Sequence, residues 1–104
     1  MTRLAELQNW YASHCNGEWE HSYGVKIDSL DNPGWWVKID LIGTELEQLD
    51  FTPQIEHRSD TDWLDCKIED KIFKGAGDSL KLESILGVFL DWVKQHESHS
   101  HETA

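Results

Sequence analysis

Glu18-Trp19-Glu20-His21-Ser22-Tyr23 concentrates acid, base and hydroxyl groups in six residues. Paired carboxylates beside a histidine are the raw material of general acid and base catalysis. Residues 18 and 20 share a side only in extended chain, and nothing nearby supplies a nucleophile, an oxyanion hole or a phosphate cradle. The segment therefore reads as a solvated or partner-facing loop. His14, Cys15, His21 and Cys66 are soft metal ligands, but their spacing matches no zinc pattern, and structural cysteines are the better reading. His96, His99 and His101 belong to a polar tail without preorganised geometry. No physiological metal and no cofactor are assigned.

A reactive cysteine needs cations or a helix N-terminus to depress its pKa. Cys66 follows Asp65 in a strand pattern, and Cys15 closes a helical pattern where the dipole is negative, so both remain thiols. Gly75-Ala76-Gly77 precedes a helix but lacks the lysine and the spacing of a P-loop. With these exclusions no enzyme is expected, and catalysis ranks last, after binding of a protein and binding of a ligand.

The elements that must position these groups are legible from periodicity. Leu4, Leu7, Tyr11 and Cys15 recur at i+3 and i+4 steps, flanked by Trp10, which predicts an amphipathic helix from Arg3 to about Cys15. Thr2 is placed to cap it, and Asn16-Gly17 supplies the left-handed residue that ends it. From Val25 the period becomes two as far as Leu30, and Trp35 to Ile42 alternates again after Asp31-Asn32-Pro33-Gly34, where Pro33 and Gly34 suit positions i+1 and i+2 of a type II turn. Thr44 to Leu49 is open between a helical turn and a loop.

Phe51 to Glu56 reads as an edge strand, since Pro53 cannot donate to a ladder. Ser59 to Asp62 is turn chemistry, and Leu64, Cys66 and Ile68 oppose Trp63, Asp65, Lys67 and Glu69 in a further strand. Gly75-Ala76-Gly77 reads as a break, after which Asp78 or Ser79 caps a helix with the stripe Leu82, Ile85, Leu86, Phe89, Trp92 and Val93, ending near His96. The expected fold is α+β: a mostly antiparallel four-stranded sheet with the N- and C-terminal helices packed on one face. Residues 1–95 form a single domain and 96–104 a flexible polar tail.

Two tryptophans fall on strand faces that alternation makes polar. Trp36 lies beside Lys38 and Asp40, and Trp63 beside Asp65, Lys67 and Glu69. Large aromatics among carboxylates make a binding surface, unless the 43–61 segment covers them. Trp10, Trp35 and Trp92 lie on or beside apolar stripes and are assigned to the core.

Length and charge set the outer bounds. With 104 residues, 38% of them hydrophobic, the chain has material for one core and one domain. Twenty Asp and Glu against nine Lys and Arg give a net charge of -11, so counterion release from phosphates cannot drive nucleic-acid binding. A charged partner is cationic. There is no apolar run of spanning length and no signal-peptide pattern, so neither a membrane nor secretion is expected and the compartment is cytoplasmic.

Leu7-Gln8-Asn9-Trp10-Tyr11, Cys15-Asn16-Gly17-Glu18-Trp19-Glu20-His21-Ser22-Tyr23-Gly24 and Leu30-Asp31-Asn32-Pro33-Gly34-Trp35 resemble the signature blocks of the immunity protein 53 family. Asp40-Leu41, Thr44-Glu45-Leu46, Asp62-Trp63 and Phe89 to Trp92 also fit, so the resemblance runs from about Leu4 to Val93. It implies a bacterial immunity protein, encoded beside a polymorphic toxin, that binds the toxin domain in the cytoplasm and blocks it. An acidic surface suits a basic toxin, with Asp and Glu taking the place of substrate phosphates. Matching the motif residue by residue points to Trp19, Glu20, His21, Tyr23, Asp31, Trp35 and Trp63. The expected toxin contacts are Glu18, Trp19, Glu20, His21 and Tyr23 after the first helix. On the strands they are Trp36, Asp40, Trp63, Asp65 and Glu69. A small-ligand or carbohydrate binder using exposed tryptophans is the alternative, distinguished by a concave aromatic-walled site.

Overall fold

The first helix, α1 (Arg3–His14), forms where its stripe and cap predict it: the Thr2 hydroxyl accepts the Ala5 amide at 3.1 Å. Gly17 has φ +92°, the left-handed residue expected after it. The computed structural model describes residues 2–103, with side chains described for residues 2–96. The stretch expected as a flexible tail from 96 onward is instead helical as far as Thr103, so the last helix runs past the end expected near His96, and of that stretch only Ala104 lies outside the described residues.

Next comes a single helical turn, α2 (Trp19–Ser22), where a loop was expected. The strands are β1 (Val25–Leu30), β2 (Gly34–Asp40), β3 (Gln54–Ser59), β4 (Asp62–Glu69) and β5 (Ile72–Gly77), and the chain closes with α3 (Leu82–Thr103). All ladders are antiparallel, in the order β1-β2-β5-β4-β3. No helix of the described residues is long and apolar enough to cross a membrane.

The sheet thus has five strands rather than four, and the additional one, β5, is its centre. Gly75-Ala76-Gly77 is strand, not a break. Its glycines are there because α3 and the residue leading into it lie almost against the backbone: a Cβ on Gly75 would run into Ile85 Cγ2 of α3, and one on Gly77 into Cβ of Lys81 just before it. The β4–β5 hairpin turns on Asp70 and Lys71, both with positive φ (55° and 62°), the type I′ geometry that Asn-Gly usually signals. The β1–β2 turn also differs from expectation. The Asn32–Pro33 bond is cis, and Gly34 is already strand, buried where a Cβ would meet the Gly77 carbonyl oxygen.

One sheet face carries Val37, Ile39, Leu64, Cys66 and Phe73, all buried, against Ile85, Leu86, Phe89 and Trp92 of α3. Helix α1 adds Leu7 and Trp10 beside α3, tied by Arg3–Asp91 at 3.0 Å and Lys94–Glu6 at 2.6 Å. Residues 41–53 wrap onto the same side as turns: Leu46 is buried, Phe51 packs edge-on against Phe73, and the Trp92 indole donates to the Asp50 carbonyl at 3.0 Å. Edge strand β3 is exposed throughout and begins just after Pro53, which blunts that edge against further pairing.

Candidate functional site

The second sheet face carries no helix. Register places its residues in cross-strand rows: Asp28, Trp36, Ala76, Asp65 and Ile55; then Lys26, Lys38, Lys74 and Lys67; then Asp40, Ile72 and Glu69. Trp36 and Trp63 are therefore brought to one face, on either side of β5. The small side chain of Ala76 between them leaves a slot of about 280 Å³ walled by Trp36, Trp63 and His57, with Asp65, Lys67 and Lys74 at its rim. Both tryptophans are partly exposed, because the 43–61 segment packs on the helix side or extends as β3 and does not cover them.

Trp63 is held at the head of β4. Its amide donates to Asp78 Oδ2 at 2.9 Å, and Asp78, 3% exposed, also accepts the Leu80 amide and the Lys81 ammonium. The Lys81 ammonium and these amides hold the Asp78 carboxyl down at about 2, well below the usual carboxylate value. Asp78 therefore caps the turn before α3, not the helix itself, and locks the β4–β5 end of the sheet. The Lys74 ammonium, 2.7 Å from Glu69, lowers the Glu69 carboxyl.

The block after α1 is organised by reciprocal capping. Asn16 Oδ1 accepts the amides of Glu18 and Trp19 at 2.9 Å, while the Glu20 carboxylate accepts those of Asn16 and Gly17 at 2.9 and 2.8 Å. Amides, its own first among them, lower the Glu20 carboxyl against an opposing effect of burial. A carboxylate engaged in this way is a cap and is not poised to shuttle protons. The cap drives Trp19 inward. It is 6% exposed, its indole donates to the Ile42 carbonyl at 2.8 Å, and its ring meets Trp10, Tyr11, His14 and Tyr23. Glu18 and His21 remain exposed.

Glu20, His21 and Tyr23 line a groove of about 750 Å³ with Tyr11, Lys26, Lys38 and Asp40, running from α1 and α2 to the β1–β2 side of the open face. Asp40 there accepts the Gly24 amide at 3.0 Å. The two sets of expected contacts therefore lie on connected ground, with Trp19 beneath it rather than on it. Lys26, Lys38 and Lys74 complete that ground. Sequence patterning leaves them out, because their alignment depends on a strand order that pattern does not encode.

Cys66 lies in the core, where burial, with Asp65 and Glu56 nearby, pushes its thiol up to about 12; Cys15 is exposed. The two are not paired. Among the described residues no group of three or more His, Cys, Asp or Glu is placed to hold a metal ion.

The model of the family described as immunity protein 53 matches residues 4–94. The chain belongs to the immunity protein 53 family. No curated protein and no solved structure matches it. Membership gives toxin-neutralising immunity as the general function. Within this immunity protein, the Asn16 to Glu20 block, which lies inside the matched residues, is a structural cap that seats Trp19.

Proposed function

We propose that this chain neutralises a toxin domain by docking its helix-free sheet face onto it and occluding the toxin sterically and electrostatically. The observation that carries the reading is the open face itself, where Trp36 and Trp63 flank a slot among charged residues in a member of an immunity family. Trp supplies desolvated contact area, and the surrounding charges orient it. Asp40, Asp65 and Glu69 border the contact, and Glu18, Glu20, His21 and Tyr23 extend it along the adjoining groove. A net charge of -11 suits a toxin that is basic overall, met in the cytoplasm of the producing cell. Neither nucleic acid nor a membrane is a partner, and no catalysis is involved.

The test is co-purification with the toxin domain encoded beside this gene, read by affinity and loss of toxin activity. Trp63→Ala should cost about 2 kcal/mol or more in toxin affinity, with Tm little changed. A collapse of Tm would instead make Trp63 a core residue.

A second reading as a small-ligand binder is favoured by the groove of about 750 Å³ with Tyr11 and Tyr23 in its lining, a size within the range of about 300–1,000 Å³ usual for ligand pockets. A ligand that protects the groove while toxin binding is absent would favour it.

A further inference from the structure

The open face is not acidic like the rest of the chain. Four of the nine cationic side chains stand in one row, because Lys26 pairs with Lys38, Lys38 with Lys74 and Lys74 with Lys67 across four consecutive strands. At about 4.8 Å per strand the row is about 14 Å long. Acids border it on both sides, Asp28 and Asp65 in one neighbouring row, Asp40 and Glu69 in the other. Like charges directly opposite each other destabilise a sheet. Glu69 relieves one end of the row, at 2.7 Å from Lys74 and 3.8 Å from Lys67. Lys26 and Lys38 make no ion pair among the described residues, and both line the groove at the other end.

We propose that this face recognises its toxin through a complementary stripe: a row of carboxylates on the toxin seated on the four lysines, flanked by the toxin's own cations against the acidic rows. The proposal rests on the immunity reading and adds what distinguishes the cognate toxin. A chain of charge -11 draws in any basic toxin. The lysine row then rejects those that bring Lys or Arg to it, since like charges meeting at an interface are strongly disfavoured. Polyphosphate is a poorer fit than a protein, because the acidic rows repel a ligand that is anionic throughout.

The experiment uses the full chain and the toxin domain of the neighbouring gene, comparing wild type with Lys26→Glu/Lys38→Glu and with Arg58→Glu, an exposed cation outside the row. Thermal melts confirm that each variant is folded. The double reversal should weaken toxin binding at least tenfold and abolish neutralisation, although it makes the chain more acidic; Arg58→Glu should change affinity less than threefold. Recovery of the double variant's binding by an acid-to-lysine change on the toxin would establish the stripe. Unchanged or tighter binding by the double variant would overturn it, leaving immunity intact because wild type still neutralises. Failure of wild type to bind the toxin would remove the immunity reading and the proposal with it. Binding of a mixed-sequence single-stranded oligonucleotide, lost in the double variant, would overturn it in favour of nucleic acid.

Discussion

Gly75→Ala tests whether the centre of this sheet is glycine because α3 lies against it. The new Cβ would collide with Ile85 Cγ2 and stand 3.2 Å from Phe73 Cε2 and 3.5 Å from Cys66 Sγ. Ile85 and Phe73 are fully buried and cannot swing aside, so α3 must lift or β5 must bow. Overpacking of this kind costs about 1–3 kcal/mol. Loss of glycine's unfolded-state freedom returns about 0.4–1 kcal/mol. The net expectation is about 1–2 kcal/mol, or a Tm lower by about 5–15 °C for a domain of this size. Urea unfolding should show a lower midpoint at unchanged slope.

The decisive arm is a double-mutant cycle with Ile85→Ala. Alone, that truncation should cost about 2–5 kcal/mol through the cavity it leaves. In its background Gly75→Ala is freed of the Ile85 clash and keeps only the closer-than-usual approach to Phe73, so the second change should cost little, giving a coupling of about 1–2 kcal/mol. Strict additivity would refute close approach as the reason for glycine. Because β5 also carries Lys74 and Ala76, Gly75→Ala should weaken toxin binding as well, and Ile85→Ala should partly restore it.

Trp19→Ala should behave oppositely to Trp63→Ala, costing about 3–5 kcal/mol of stability in chemical denaturation because its ring is core. Asp78 is depressed from 3.8 to about 2, so its contribution is complete above pH 4 and lost as pH falls from about 4 to 2. Urea midpoints over that interval should fall less steeply in Asp78→Asn than in wild type; equal slopes would refute the Asp78 latch. A thiol reagent at neutral pH should label Cys15 alone in the native chain and both cysteines after denaturation. Native labelling of Cys66 would show that the core opens locally.

What periodicity determines here is the local half of the fold. The Thr2 cap, the α1 stripe, the α3 stripe and the alternation in β1, β2 and β4 follow from patterns within a dozen residues, and they place Trp36 and Trp63 on polar faces. The family blocks were also legible, being contiguous. Strand β5 was not, because its glycines answer to Lys81 just before the following helix and to Ile85 within it, and its turn residues Asp70 and Lys71 take positive φ without the usual Asn-Gly. Trp19 could not be told from a surface aromatic until Asn16 and Glu20 closed their reciprocal cap. Only the tertiary structure, by inserting β5 between β2 and β4, set the two tryptophans about one slot and lined up lysines that are 12, 36 and 7 residues apart in the chain. Strand order is settled by which faces bury the most apolar surface together, a property of the assembled sheet that no single segment carries.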